Sequence, residues 1–77
     1  MSPLDPIVTN HVRRHRQLRG EMTQQELADL AGVTRQTVHS IEKGRYNPSV
    51  ALALRLAEIF GVPVDALFEL SREERDD

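Results

Sequence analysis

Thr23-Gln24-Gln25-Glu26-Leu27-Ala28-Asp29-Leu30-Ala31-Gly32-Val33-Thr34-Arg35-Gln36-Thr37-Val38-His39-Ser40-Ile41-Glu42-Lys43-Gly44 is the stretch that decides the fold. It spells out two short helices, each with its own start and stop. Thr23 and Glu26 form a capping box: the Thr23 hydroxyl can accept the amide three residues on, and the Glu26 carboxylate can reach back to the Thr23 amide. Leu27, Ala28, Leu30 and Ala31 then supply an apolar face. Gly32 stops the helix, because it takes the left-handed conformation without a Cβ clash. The spacing predicts a helix over about 24–31. Thr34 is the next N-cap. Val38 and Ile41, three apart, face inward, and Arg35, Gln36, His39 and Lys43 point mostly outward. Gly44 closes the second helix.

Upstream, Ile7 to Arg19 contains no breaker. Val8, Val12 and His15 follow helical spacing among Arg13, Arg14, Arg16 and Arg19, which predicts a basic amphipathic first helix ending at Gly20. Downstream, Arg45-Tyr46-Asn47-Pro48 reads as a loop. Ser49 caps a fourth helix whose apolar face is Leu52, Ala53, Leu56, Ala57, Ile59 and Phe60, closed by Gly61. A short fifth helix follows Pro63, from Val64 to about Leu70. There is no strand signal, so the expectation is an all-α, compact five-helix bundle. Residues 1–6, with two prolines, read as a flexible lead-in, 7–70 as one domain and 71–77 as a charged tail.

The chain has 77 residues and no cysteine, so neither disulfides nor thiolate metal sites support its modest core. Its net charge of −2 hides an asymmetry: residues 1–47 sum to +2 and residues 48–77 to −4. A local basic patch can therefore meet a polyanion although the whole chain is acidic. No apolar run approaches a membrane span, and the first residues lack a signal peptide's basic flank and apolar stretch, so a cytoplasmic location is expected. No phosphate-binding Gly-rich loop, paired-carboxylate pocket or nucleophile with a base is visible, so no enzyme activity and no cofactor are expected. His11 and His15 stand four apart, but without a nearby cysteine or carboxylate they read as surface or core-edge histidines rather than metal ligands.

The decisive stretch also obeys a twenty-residue spacing. Counted from Gln24, Ala28 falls fifth, Gly32 ninth, Val38 fifteenth and Ile41 eighteenth. Two short helices that cross steeply need a small residue at closest approach, a positive φ at the turn, and branched apolar residues locking the second helix onto the first. This is the logic of a helix-turn-helix at about 24–43, whose second helix is free to enter a DNA major groove. Together with Tyr46-Asn47-Pro48-Ser49, Leu52-Ala53-Leu54 and Val64-Asp65-x-Leu67-Phe68, the stretch resembles the phage-repressor/Cro-like (Xre) family of small bacterial transcriptional regulators. The resemblance spans about residues 10–70 and implies a lambda-repressor-like DNA-binding domain. Two departures stand out: His15 occupies a usually apolar position, and the link around Gly20-Glu21-Met22 is one residue longer.

The resemblance implies roles by position. Gln24 and Thr34 would touch phosphates at helix starts, where physics also favours anions. Arg35, Gln36 and Thr37 would meet base edges, with Ser40 a turn later. Arginine suits guanine, glutamine suits adenine and the threonine methyl suits thymine. Lys43, Arg45, Tyr46 and Asn47 would meet backbone phosphates beyond the helix. Thr23, Glu26, Ala28, Gly32, Val38 and Ile41 would be structural. Glu42 would pair with Arg16 of the first helix, or failing that Arg19. Otherwise Arg13, Arg14 and Arg16 read first as a solvated or internally paired face, with phosphate contact as the lesser reading. The implied function is a sequence-specific double-stranded DNA-binding regulator, a repressor or autoregulator, reading a palindromic operator as a homodimer. Leu67 and Leu70, with neighbouring helix-four residues, are expected at the dimer interface, and Phe68 is expected to cover the core. The competing reading is an antitoxin-like module that binds a partner protein first and DNA secondarily. No small-molecule effector is evident.

Overall fold

Capping at both ends sets the central helices of the computed structural model, which describes residues 7–71. The order is β1 (Ile7–Asn10), α1 (Val12–Leu18), α2 (Gln24–Ala31), α3 (Arg35–Glu42), α4 (Val50–Phe60), α5 (Val64–Leu67) and β2 (Phe68–Ser71). The Thr23/Glu26 capping box is present in both directions, at 3.0 Å and 2.8 Å. Thr34 and Ser49 accept the amides of Thr37 and Leu52. Gly32 ends α2 at φ 76°, and an added Cβ would meet nothing within 4 Å, so glycine is needed there for its conformation and not for room. The amides of Gly32 and Val33 both return to the Ala28 carbonyl.

The protein is mostly helical, but the all-α expectation needs a correction: the described residues include a small antiparallel sheet. The expected first helix gives way before Val12. Ile7, Val8 and Thr9 are a β-branched run, which favours extended backbone. They pair with the chain's other end in the register Ile7↔Ser71, Val8↔Leu70, Thr9↔Glu69, Asn10↔Phe68. The His11 amide continues the ladder to the Leu67 carbonyl at 2.8 Å. The expected fifth helix correspondingly ends at Leu67, and Phe68 is already extended. The expected lead-in and residues 72–77 of the expected tail lie outside the described residues.

The core is one cluster: Val12 from α1, Leu27, Ala28 and Ala31 from α2, Val38 and Ile41 from α3, Leu56, Ala57 and Phe60 from α4, and Leu67 from α5. Phe68, Leu52 and Ile59 pack against it from outside. Leu30, expected on the inner face of α2, is instead exposed. His15 is accommodated beside the core by laying its ring against Phe60, with centroids 5.8 Å apart. The longer link is absorbed by two successive left-handed residues, Gly20 at φ 70° and Glu21 at φ 57°. Arg19 then reaches across to the Phe60 carbonyl at 3.3 Å, supplying a donor to the end of α4.

Candidate nucleic-acid interface

α3 is a helix with two opposed faces. Val38 and Ile41 are sealed into the core, while Arg35 and Gln36, its first two residues, are exposed. Thr34 holds them at the helix start: its hydroxyl accepts the Thr37 amide at 3.2 Å and pairs with the Thr37 hydroxyl at 3.0 Å. Thr37 is half-buried and tied to the cap. Ser40 is also half-buried, with the Gln36 amide 3.4 Å from its hydroxyl. Gln36 and Ser40 thus lie together one turn apart. Lys43, Arg45, Tyr46 and Asn47 follow as an exposed run into the loop.

The only acid on α3 is Glu42, and the fold turns it inward. Its side chain is 4% exposed and receives a two-pronged bond from Arg16: Nε donates at 2.7 Å and Nη2 at 3.1 Å. This is the expected partner, and Arg19 is engaged elsewhere. Gln24 adds a third donor to Glu42 at 3.0 Å, and the remaining Arg16 nitrogen donates to the Met22 carbonyl at 2.7 Å. The group binds α1, the start of α2 and the end of α3 into one joint, and every prong is charge-assisted or saturated. It also neutralises the only carboxylate of α3, leaving that helix with only basic and neutral groups in water. Gln24's side chain is committed to this joint, so the anion-attracting part it offers outward is the backbone at the start of α2.

Two other expectations fare differently. Leu67 is wholly buried, so its assignment to a dimer interface is wrong: with α5 only one turn long, its side chain is needed to close the core. Leu70 does stay exposed, on β2. The two histidines read as non-ligands go to separate partners, His11 to Glu69 at 3.0 Å and His15 to Phe60. One structural contact escaped sequence reasoning: Asn10 donates to the Ile41 carbonyl at 2.8 Å and accepts the Val12 amide at 3.2 Å. It ties the end of β1 to the last turn of α3. A short polar residue just ahead of a helical run was the available signal.

These features define a helix-turn-helix DNA-binding domain. The comparison with known proteins agrees: the helix-turn-helix family model matches residues 12–67. A protein of Methanocaldococcus jannaschii named as an HTH-type transcriptional regulator is 42% identical over 65 residues, covering 84% of this chain and 97% of its own. Another so named, from Methanothermobacter thermautotrophicus, is 54% identical over 50 residues, covering 65% of this chain and 71% of its own. A third, from Bacillus subtilis, is 45% identical over 51 residues, covering 66% and 77%. The chain belongs to the Xre/Cro-like helix-turn-helix family of DNA-binding transcriptional regulators. No helix among the described residues is long and apolar enough to cross a membrane.

Proposed function

We propose that the protein regulates transcription as a repressor or autoregulator, binding a palindromic operator as a homodimer with α3 in the major groove. The observation that carries this reading is the exposure of Arg35 and Gln36 at the capped start of a helix whose opposite face is sealed in the core. Arg35, Gln36, Thr37 and Ser40 read bases in this account. The starts of α2 and α3 at Gln24 and Thr34, with Lys43, Arg45, Tyr46 and Asn47, hold phosphates. The antitoxin-like alternative has no observation in its favour.

The test begins by selecting bound fragments from the source genome, then titrates variants on the selected operator and on scrambled DNA at several salt concentrations. Arg35→Ala and Gln36→Ala should each cost about 1–3 kcal/mol on the operator and relax preference at one symmetric pair of positions. Lys43→Ala and Arg45→Ala should weaken both DNAs alike and flatten the salt dependence by about one unit each. If the first two keep the wild-type ratio of operator to scrambled affinity, α3 is not the reader.

A single recognition helix reads too little sequence, so the reading needs a second copy that sets two such helices about 34 Å apart. With Leu67 removed from consideration, the apolar groups available for it in the C-terminal part are Leu70 on β2 and Val50 and Leu54 on the outer face of α4. Leu54→Asp and Leu70→Asp should produce monomers in sedimentation. Wild-type protein that is monomeric at high micromolar concentration would remove the homodimer from the account.

A further inference from the structure

We propose that Arg13 and His39, to which neither the motif nor the base-reading positions assign a role, complete a seat for one backbone phosphate of the bound DNA. An open cavity of about 400 Å³ lies between α1 and α3. Arg13, Arg35, His39 and Lys43 stand around it, and Gln24 and the Arg16–Glu42 pair also line it. Positions 35, 39 and 43 are one turn apart and so form a single row along α3. Arg13 and Arg16 are one turn apart on α1 and face that row. Among the described residues the charges do not balance: Arg16 and Glu42 cancel each other, and no other carboxylate lines the cavity. Arg13, Arg35 and Lys43 are exposed and make no ion pair among the described residues.

Three cations converging on one cavity, with a neutralised and fully bonded pair beside them, call for an anion. The ligand class is a phosphodiester rather than a small free anion. The cavity opens to solvent, its cations sit on long exposed side chains, and Arg35 belongs both to it and to the start of the recognition helix. A strand running beside the groove that α3 enters would pass here. The seat rests on the DNA-binding reading and extends it to α1, making that helix a second hold on the duplex.

The test compares Arg13→Ala with Arg14→Ala, its exposed neighbour of equal charge that does not line the cavity, on operator and scrambled duplexes between 50 and 200 mM salt. Both substitutions should leave the melting temperature unchanged. Arg13→Ala should weaken both duplexes alike, and the rise in salt should cost it about threefold less affinity than it costs wild type, as expected for one lost phosphate contact. Arg14→Ala should follow wild type. His39→Ala should weaken both duplexes without changing their ratio. If Arg13→Ala and Arg14→Ala behave alike, the seat is overturned while DNA binding stands. If the wild type binds no duplex at any salt, the reading beneath the seat falls with it. If inorganic phosphate, matched against chloride at equal ionic strength, stabilises wild type but not Arg13→Ala while the duplex salt slope is unchanged, the cavity serves a free anion and this assignment is wrong.

Discussion

The α2–α3 unit and the β1–β2 sheet grip the same core, one through contacts made within twenty residues and the other by pairing residue 9 with residue 69. The first is assembled from caps, a glycine turn and interlocked apolar residues that lie close in sequence. The second joins strands far apart in the chain, so its pairing closes a loop of almost the whole domain and bears that entropy. The joint of Arg16, Glu42 and Gln24 lies where the two meet, because it fixes α1, which leads directly out of β1, onto the helix-turn-helix.

Breaking that joint should have the largest effect. Glu42→Ala leaves the Arg16 guanidinium, 12% exposed, with no counter-charge. The cost should be about 3 kcal/mol, and for a domain of this size the fall in melting temperature should exceed roughly 10 °C. A fall of only a degree or two in calorimetry would mean that the joint adds little to the local unit. Next comes Leu67→Ala, which hollows the core at the point where α5 turns into β2. It should cost about 2–3 kcal/mol and show up as lost stability, with no loss of a partner subunit in sedimentation. Asn10→Ala removes both side-chain bonds that tie the sheet corner to α3, for about 1–2 kcal/mol. Amide exchange should then quicken in β1 and β2 more than in α2. Thr23→Ala tests the local side, costing about 1 kcal/mol through the lost cap, with exchange quickening at the start of α2 and not in the sheet. The smallest effect has the opposite sign. Glu21→Gly relieves a left-handed non-glycine residue, and its gain, offset by the greater freedom of glycine in the unfolded chain, should be a few tenths of a kcal/mol.

The same contrast explains what could be read from the sequence. The bounds of α2, the caps at Thr34 and Ser49 and the stop at Gly61 were all written in neighbouring residues. Glu42 and Arg16 were paired correctly because the family resemblance carried information across twenty-six positions. Nothing local marked Val8 as the partner of Leu70. Val8, Val12 and His15 satisfy helical spacing by coincidence, and the β-branched Ile7-Val8-Thr9 run that argues for a strand becomes decisive only beside a second strand. Leu67 is buried for a related reason. A helix extended to Leu70 has apolar surface to spare, but a one-turn α5 does not. The cavity beside Arg13 was hidden because it needs α1 and α3 together, and a charged residue on an exposed helix face reads as solvated until the opposing helix is in place.

The antiparallel pairing of β1 with β2 sets how the domain would answer a mechanical load. Residues 7 and 71 are opposite one another at the open end of the ladder, so a pull applied between them acts across the strands rather than along them. The ladder would be peeled one pair at a time, Ile7–Ser71 first and Asn10–Phe68 last, never shearing all its hydrogen bonds together. Its resistance would be that of a zipper, and the first event under tension would be loss of the sheet. The next tether is Asn10, with its bond to the Ile41 carbonyl, and beyond it lies the Arg16–Glu42 joint. Tension on the chain ends would therefore be felt at the last turn of α3 before it reached the Arg35 end of that helix.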